Sequence, residues 1–176
     1  MKIAQISRIS LFAAILSISV YLFPPLVVPL INVPFTLQTL FVILIGFLLK
    51  PTEAFLSVFI YIMMGAIGLP VYSFGRSGFS VLLGPSGGFL MLFPFVSLSI
   101  SVLKSKSRNK IYDLLLAFII GVVALYLLAA IWLSISTTLS YGKALLGLLP
   151  FVPGDIVKLL LAYAVYLKIP KDLLET

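Results

Sequence analysis

The chain has 176 residues, of which 62% are hydrophobic and only 10% charged, with a mean hydropathy of +1.26. A soluble domain carries roughly 25% charged residues, so the composition points to one domain, residues 1–176, solvated mainly by lipid. Cysteine and histidine are both absent, which excludes disulfides, thiol nucleophiles, the commonest general base and the usual zinc ligands.

A bilayer-crossing helix needs about 20 mostly apolar residues. No charge falls between Arg8 and Lys50, but Pro24, Pro25, Pro29 and Pro34 interrupt that run. Two spans are therefore expected, at about 9–23 and 35–49, joined by a proline-rich loop. A third, at about 52–68, opens on "KPTE", proline being compatible with a first helical turn. A fourth is expected at about 86–103, a fifth at about 111–137 and a sixth at about 151–167. The first span has a charged flank like that of a signal peptide, but no small-x-small cleavage site follows it.

Six spans place Lys2, Arg8, Lys50, Lys104, Lys106, Arg108, Lys110, Lys168 and Lys171 on one side, and Arg76 and Lys143 on the other. Lys158 lies just inside the sixth span. This asymmetry predicts cytoplasmic N- and C-termini. The net charge of +7 then reads as topology: "KSKSRNK" anchors a loop at anionic headgroups, and no nucleic-acid partner is implied. The fold class expected is all-α and polytopic.

Three stretches at the external ends of spans are too specific for plain connectors: "VPFTLQTL" (33–40), a glycine-rich segment (65–90) and "PFVPGDIVK" (150–158). Thr36, Gln38 and Thr39 can donate and accept hydrogen bonds, or cap a helix. The glycine-rich segment matches no dinucleotide or phosphate-loop pattern. Its "GPSGG" places Ser86 and Gly87 at a helix N-terminus, where amide donors are free. Tyr72, Phe74 and Phe79 either wall a ligand or form an interfacial belt. Asp155 and Lys158 share one helical face. They are either a self-neutralising pair, with Asp155 at the helix dipole and Lys158 snorkelling, or ligand contacts. An alanine pair would insert more easily, since a charge at a span's centre costs about 2.5–3.5 kcal/mol.

One external carboxylate, one lysine, a few amides and hydroxyls make a thin catalytic inventory, so no catalytic residue and no metal ligand set is assigned. The same groups suit recognition of a small molecule with an apolar body and polar ends. Here the residues resemble a family. "VPFTLQTL", "GAIGLPVY", "GPSGGFL" and "PFVPGDIVK", in this order over residues 8–168, are similar to BioY proteins, the biotin-binding S subunits of energy-coupling-factor (ECF) transporters. Phe35 stands where isoleucine is common, and Ser86 where threonine is usual.

The resemblance implies capture of biotin from outside the plasma membrane, with a coupling transmembrane subunit and a pair of cytoplasmic ATPases supplying energy. Biotin would be a ligand and not a cofactor, and the chain would not be an enzyme. By motif position Asp155 and Lys158 would bind biotin, Asp155 accepting a ureido N–H and Lys158 meeting the ureido carbonyl or the carboxylate. Arg76 would receive the carboxylate, Phe35 and Tyr72 would be apolar walls, and Thr36, Gln38, Ser86 and Gly87 polar contacts. Ser10 and Ala14 take the place of the small-xxx-small pair that meets the coupling subunit. The alternatives are an S subunit for another vitamin, a membrane enzyme acting on lipid head groups, and a scaffold that packs by helix contacts alone.

Overall fold

The computed structural model describes residues 2–22, 26–28, 32–105 and 109–170. Nine α-helices and one short hairpin form among them: α1 (Ile3–Ser19), β1 (Leu26–Val28), β2 (Val33–Phe35), α2 (Gln38–Leu48), α3 (Pro51–Ala66), α4 (Phe79–Leu83), α5 (Gly87–Leu103), α6 (Lys110–Phe118), α7 (Leu125–Ser136), α8 (Tyr141–Leu148) and α9 (Val152–Lys168). A π-helical segment, Ile119–Ala124, joins α6 to α7. A 3₁₀ turn, Leu149–Phe151, joins α8 to α9. Prolines 24, 25 and 29, and Lys106, Arg108 and Lys171 of the charge argument, lie outside the described residues.

Most helices fall close to the expected spans, but α1 runs Ile3–Ser19 and not 9–23, taking in Arg8 as part of the helix. The second begins at Gln38 and not at 35, because Pro34 and Phe35 pair with Val27 and Leu26 in the antiparallel hairpin. The glycine-rich segment contains the single-turn α4. The connector expected before the sixth span is itself helical, so Tyr141–Lys168 runs on for 28 residues. That run and the 27-residue Lys110–Ser136 are each long and apolar enough to cross a bilayer; α1, α2, α3 and α5 are shorter apolar helices. Large apolar side chains such as Ile111, Ile135 and Leu146 point outward, the arrangement expected where lipid is the solvent.

Helix α2 is the centre of the molecule, packed on α5 and α9 and touching α1 and α3. All residues from Val42 to Phe47 are buried, and a helix apolar all round belongs in a core. At 11 residues it is about 16 Å long, about half the hydrocarbon thickness. Its last carbonyls therefore end inside the protein, and they are met there. Lys104 Nζ donates to Phe47 O at 2.6 Å, Leu49 O at 3.1 Å and Gly46 O at 3.3 Å, and Ser101 Oγ to Leu49 O at 2.6 Å. A cation at a helix C-terminus also suits the dipole.

Helix α1 is tied to α3 by a two-pronged ion pair. Arg8 donates through Nη2 to Glu53 Oε1 at 2.7 Å and through Nε to Oε2 at 3.0 Å. This holds one face of α1 inward and leaves Ser10 and Ala14 on the exposed face.

The α2–α5 contact depends on Gly46. A Cβ there would lie 2.8 Å from Ile100 Cβ and 2.9 Å from Ser97 O, so neither neighbour can yield cheaply. Gly46→Ala is expected to cost about 1–3 kcal/mol through overpacking. Gly142→Ala, with nothing within 4 Å, should be neutral or stabilising by up to about 1 kcal/mol. Thermal unfolding of both variants in detergent checks the contrast.

Candidate functional site

The N-terminal ends of α2, α5 and α9 converge on one hollow, bounded also by β2, the 72–76 turn and Tyr126 in the first turn of α7. Three helix dipoles thus point their positive ends toward the same space. The hollow measures about 540 Å³, including its open mouth, but the space open to water is only about 40 Å³, enough for a few molecules.

At its floor is the Asp155–Lys158 pair, each residue 4% exposed, with Lys158 Nζ 2.6 Å from Asp155 Oδ1. The pair is fully dressed. Thr39 Oγ1 donates to Asp155 Oδ1 at 2.9 Å, and Tyr126 Oη donates to Asp155 Oδ2 at 2.5 Å. Lys158 Nζ also donates to the Thr36 carbonyl and, at 3.3 Å, to Thr39 Oγ1. The ammonium lies 3.4 Å from the centroid of the Phe35 ring, close enough for a cation–π contact. Lysine has three protons to give, and Asp155, Thr36 and Thr39 take them. This is the arrangement that lets a buried pair persist: every polar atom has a partner.

Above the floor a second polar group forms. Gln38 Nε2 donates to Tyr61 Oη, and Gln38 Oε1 accepts from Thr36 Oγ1 at 2.8 Å and, at the long limit of 3.5 Å, from Ser73 Oγ. Tyr61 Oη donates to the Val71 carbonyl at 3.1 Å. Thr36 Oγ1 also accepts from the Gln38 amide at 3.3 Å, one position ahead of Leu37, the residue at the cap of α2. Tyr72 donates to the Ile62 carbonyl at 2.6 Å, while its ring lies against Gly65, where a Cβ would overlap it. Burial pushes the Tyr72 phenol up to about 12, so it stays neutral and offers the hollow an aromatic face.

Of the residues singled out from sequence, Phe35, Thr36, Gln38, Tyr72, Arg76, Ser86, Asp155 and Lys158 all line the hollow. Gly87 does not: it is buried under α4, where a Cβ would overlap the Leu82 carbonyl oxygen. Phe74 and Phe79 are 52% and 62% exposed, on the belt side of the alternatives given for them. Arg76 sits at the mouth with its Nε on Ser73 O at 3.3 Å and its guanidinium 5.8 Å from the Phe74 ring centroid. Among the described residues it has no carboxylate partner.

Sequence reasoning missed Tyr126, Phe89, Phe93 and Phe151, which supply much of the lining. Phe151 stacks on Phe35 at 5.6 Å, with Gly154 beneath the same ring, and Phe89 meets Tyr126 edge-on at 5.6 Å. Phe151 was legible as part of "PFVPGDIVK". Phe89 was likewise part of "GPSGGFL"; Phe93 and Tyr126 sit inside ordinary apolar helices, and a lone tyrosine in mid-span was the only signal for Tyr126.

Fold and site together define a helical membrane protein that holds a small recognition hollow with an aromatic wall and a charged floor. Residues 1–175 match the BioY family. The chain is 36% identical to the biotin transporter BioY2 of Lactococcus lactis subsp. cremoris, over 91% of this chain and 86% of the relative. It is 34% identical to a probable biotin transporter BioY of Bacillus subtilis, over 98% and 94%. A crystal structure of the S-component for biotin from an ECF-type ABC transporter superposes with a TM-score of 0.88 at 28% identity, covering 93% of this chain and 89% of that one. The chain belongs to the BioY family.

Removing one member of the buried pair leaves the other charge uncompensated, which typically costs about 3–5 kcal/mol. Lys158→Met should therefore lower the thermal midpoint in detergent more than the double variant Asp155→Asn/Lys158→Met does. A double variant no more stable than the single one would show that the pair is not the stabilising unit.

Proposed function

We propose that this chain captures biotin from outside the cell as the S component of an ECF-type vitamin transporter. The observation that carries the reading is the buried, fully hydrogen-bonded Asp155–Lys158 pair at the floor of an aromatic hollow, in a chain of the BioY family. Biotin is chemically suited to it. The ureido ring has two N–H donors and a carbonyl acceptor, the thiophane is apolar, and the valerate is an anion. Asp155 accepts a ureido N–H. Lys158, whose protons are all engaged, gives the ureido carbonyl a donor by exchanging its contact with Thr39 or Thr36. Arg76 at the mouth receives the carboxylate, aided by the three helix N-termini. Phe35 and Tyr72 hold the bicycle, and Gln38, Thr36 and Ser86 complete the polar contacts. Since the open space is small, side chains at the mouth separate as the ligand enters.

The chain crosses the plasma membrane six times, with both termini in the cytoplasm and the hollow on the external side. The charge asymmetry supports this orientation, as does the clustering of α2, α5 and α9 N-termini at one end. Ser10 and Ala14, both exposed on α1, meet the coupling transmembrane subunit, which links the chain to two cytoplasmic ATPases. Small residues four apart allow close helix approach there.

Purified protein in detergent should bind biotin and gain thermal stability from it, while thiamine and riboflavin produce no shift. A shift with either of those and none with biotin would assign the site to another vitamin. Ser10→Trp and Ala14→Trp should leave biotin binding unchanged and reduce biotin uptake by cells at least tenfold. Binding and uptake falling in parallel would remove α1 from the coupling face.

A further inference from the structure

The helix from Lys110 to Ser136 carries an irregularity that the capture reading leaves unused. Asp113, Ala117, Gly121, Leu125, Ala129 and Leu133 are all buried, at an unbroken spacing of four. At 3.6 residues per turn, five such steps drift by about 200°, so a straight α-helix would carry the last of them halfway round to lipid. The π segment Ile119–Ala124 intervenes. A π turn closes i→i+5 bonds and takes in one extra residue, which rotates everything after it back by about 100°. Gly121, inside the segment, lies against Ile43 of α2, where a Cβ would be 2.9 Å from Ile43 Cδ1.

The first polar side chain after that correction is Tyr126, 4% exposed, with its hydroxyl on Asp155 Oδ2 and its ring edge-on to Phe89. In an uninterrupted α-helix it would point about 100° away from the hollow. The acceptor count gives this contact a role. A carboxylate offers about four lone-pair sites; Oδ1 receives Lys158 and Thr39, and Oδ2 receives Tyr126. One site is left, on Oδ2, and its direction is set by the phenol that occupies the other.

We propose that the π turn aims Tyr126 at Asp155, making Tyr126 a positioning residue that holds Oδ2 in the orientation needed to accept one N–H of a cyclic urea. This rests on the biotin reading above. Recognition by a fixed acceptor penalises a ligand that lacks the proton far more than contact with an apolar wall does. The selectivity of the site for an unsubstituted ureido nitrogen therefore depends on a tyrosine that itself need not touch the ligand.

The test is the binding of biotin, and of biotin methylated on one or the other ureido nitrogen, to the full chain in detergent. The wild type should prefer biotin to one of the two methyl derivatives by at least a hundredfold. Tyr126→Phe keeps the ring and its Phe89 contact; it should weaken biotin binding about tenfold and shrink that preference by a similar factor. Tyr163→Phe, which removes a hydroxyl contact to the Lys110 carbonyl far from the hollow, should change neither. Equal losses for all three ligands in Tyr126→Phe, or an unchanged preference, would overturn the proposal by reducing Tyr126 to a packing residue. A wild type without preference between biotin and its methyl derivatives overturns it with no variant needed. A wild type that does not bind biotin at all overturns the capture reading as well.

Discussion

A charge pair buried at the floor of a hollow where three helix N-termini meet sets the terms for the rest of this structure. Taking two ions out of water costs several kcal/mol each, and their attraction repays it only when the geometry is good and further hydrogen bonds meet the charged atoms. Asp155 and Lys158 belong to α9, but their partners come from α2 and its approach and from α7: Thr36, Thr39 and Tyr126. Those elements must meet at one point. The short α2 meets that need, since a full-length span would carry its polar N-terminal residues out of reach of the α9 entrance.

That shortness creates a second need at the opposite end. Helix α2 stops inside the protein, and its carbonyls would be unsatisfied in a medium without water. Lys104 and Ser101 close this gap from α5. Two lysines thus serve opposite ends of the same central helix by different physics: Lys158 beside the helix start, neutralised by a carboxylate, and Lys104 at the helix end, held by carbonyls and the dipole. Helix α1 stands outside this arrangement, held by the Arg8–Glu53 pair, which leaves its small-residue face free.

Much of the architecture was legible because membrane physics is restrictive. With no water to bond the backbone, apolar runs become helices, and proline and glycine mark where they stop. The positions of α3, α5 and α9 followed within about two residues, while α1 (Ile3–Ser19) lies four to six residues ahead of the expected 9–23. Departures arose where the pattern carries no information about pairing. The hairpin at 26–35 needs two extended segments to find each other, and α8 replaces a connector whose sequence, "YGKALLGL", is helical once it has a wall to lie on. For the site, residues in proline- and glycine-punctuated motifs were found: Phe35, Thr36, Gln38, Tyr72, Arg76, Ser86, Asp155 and Lys158. Gly87 was in the right motif, but its missing side chain makes room for α4 and adds nothing to the lining.

The sequence by itself determined the solvent, the helical class, the grouping of unusual residues at one set of span ends, and the presence of an ion pair that needs a purpose. These follow from composition and from one-dimensional spacing. Only the tertiary structure decided who completes that pair. Tyr126 lies in a featureless apolar run, and which way it faces depends on a π turn that rotates it by about 100°. Helical register accumulates along the chain, so one added residue in a turn redirects every side chain beyond it. No local pattern in "GVVALYLLAA" announces that change; the packing of Gly121 against α2 and the reach of the Tyr126 hydroxyl to Asp155 show its consequence.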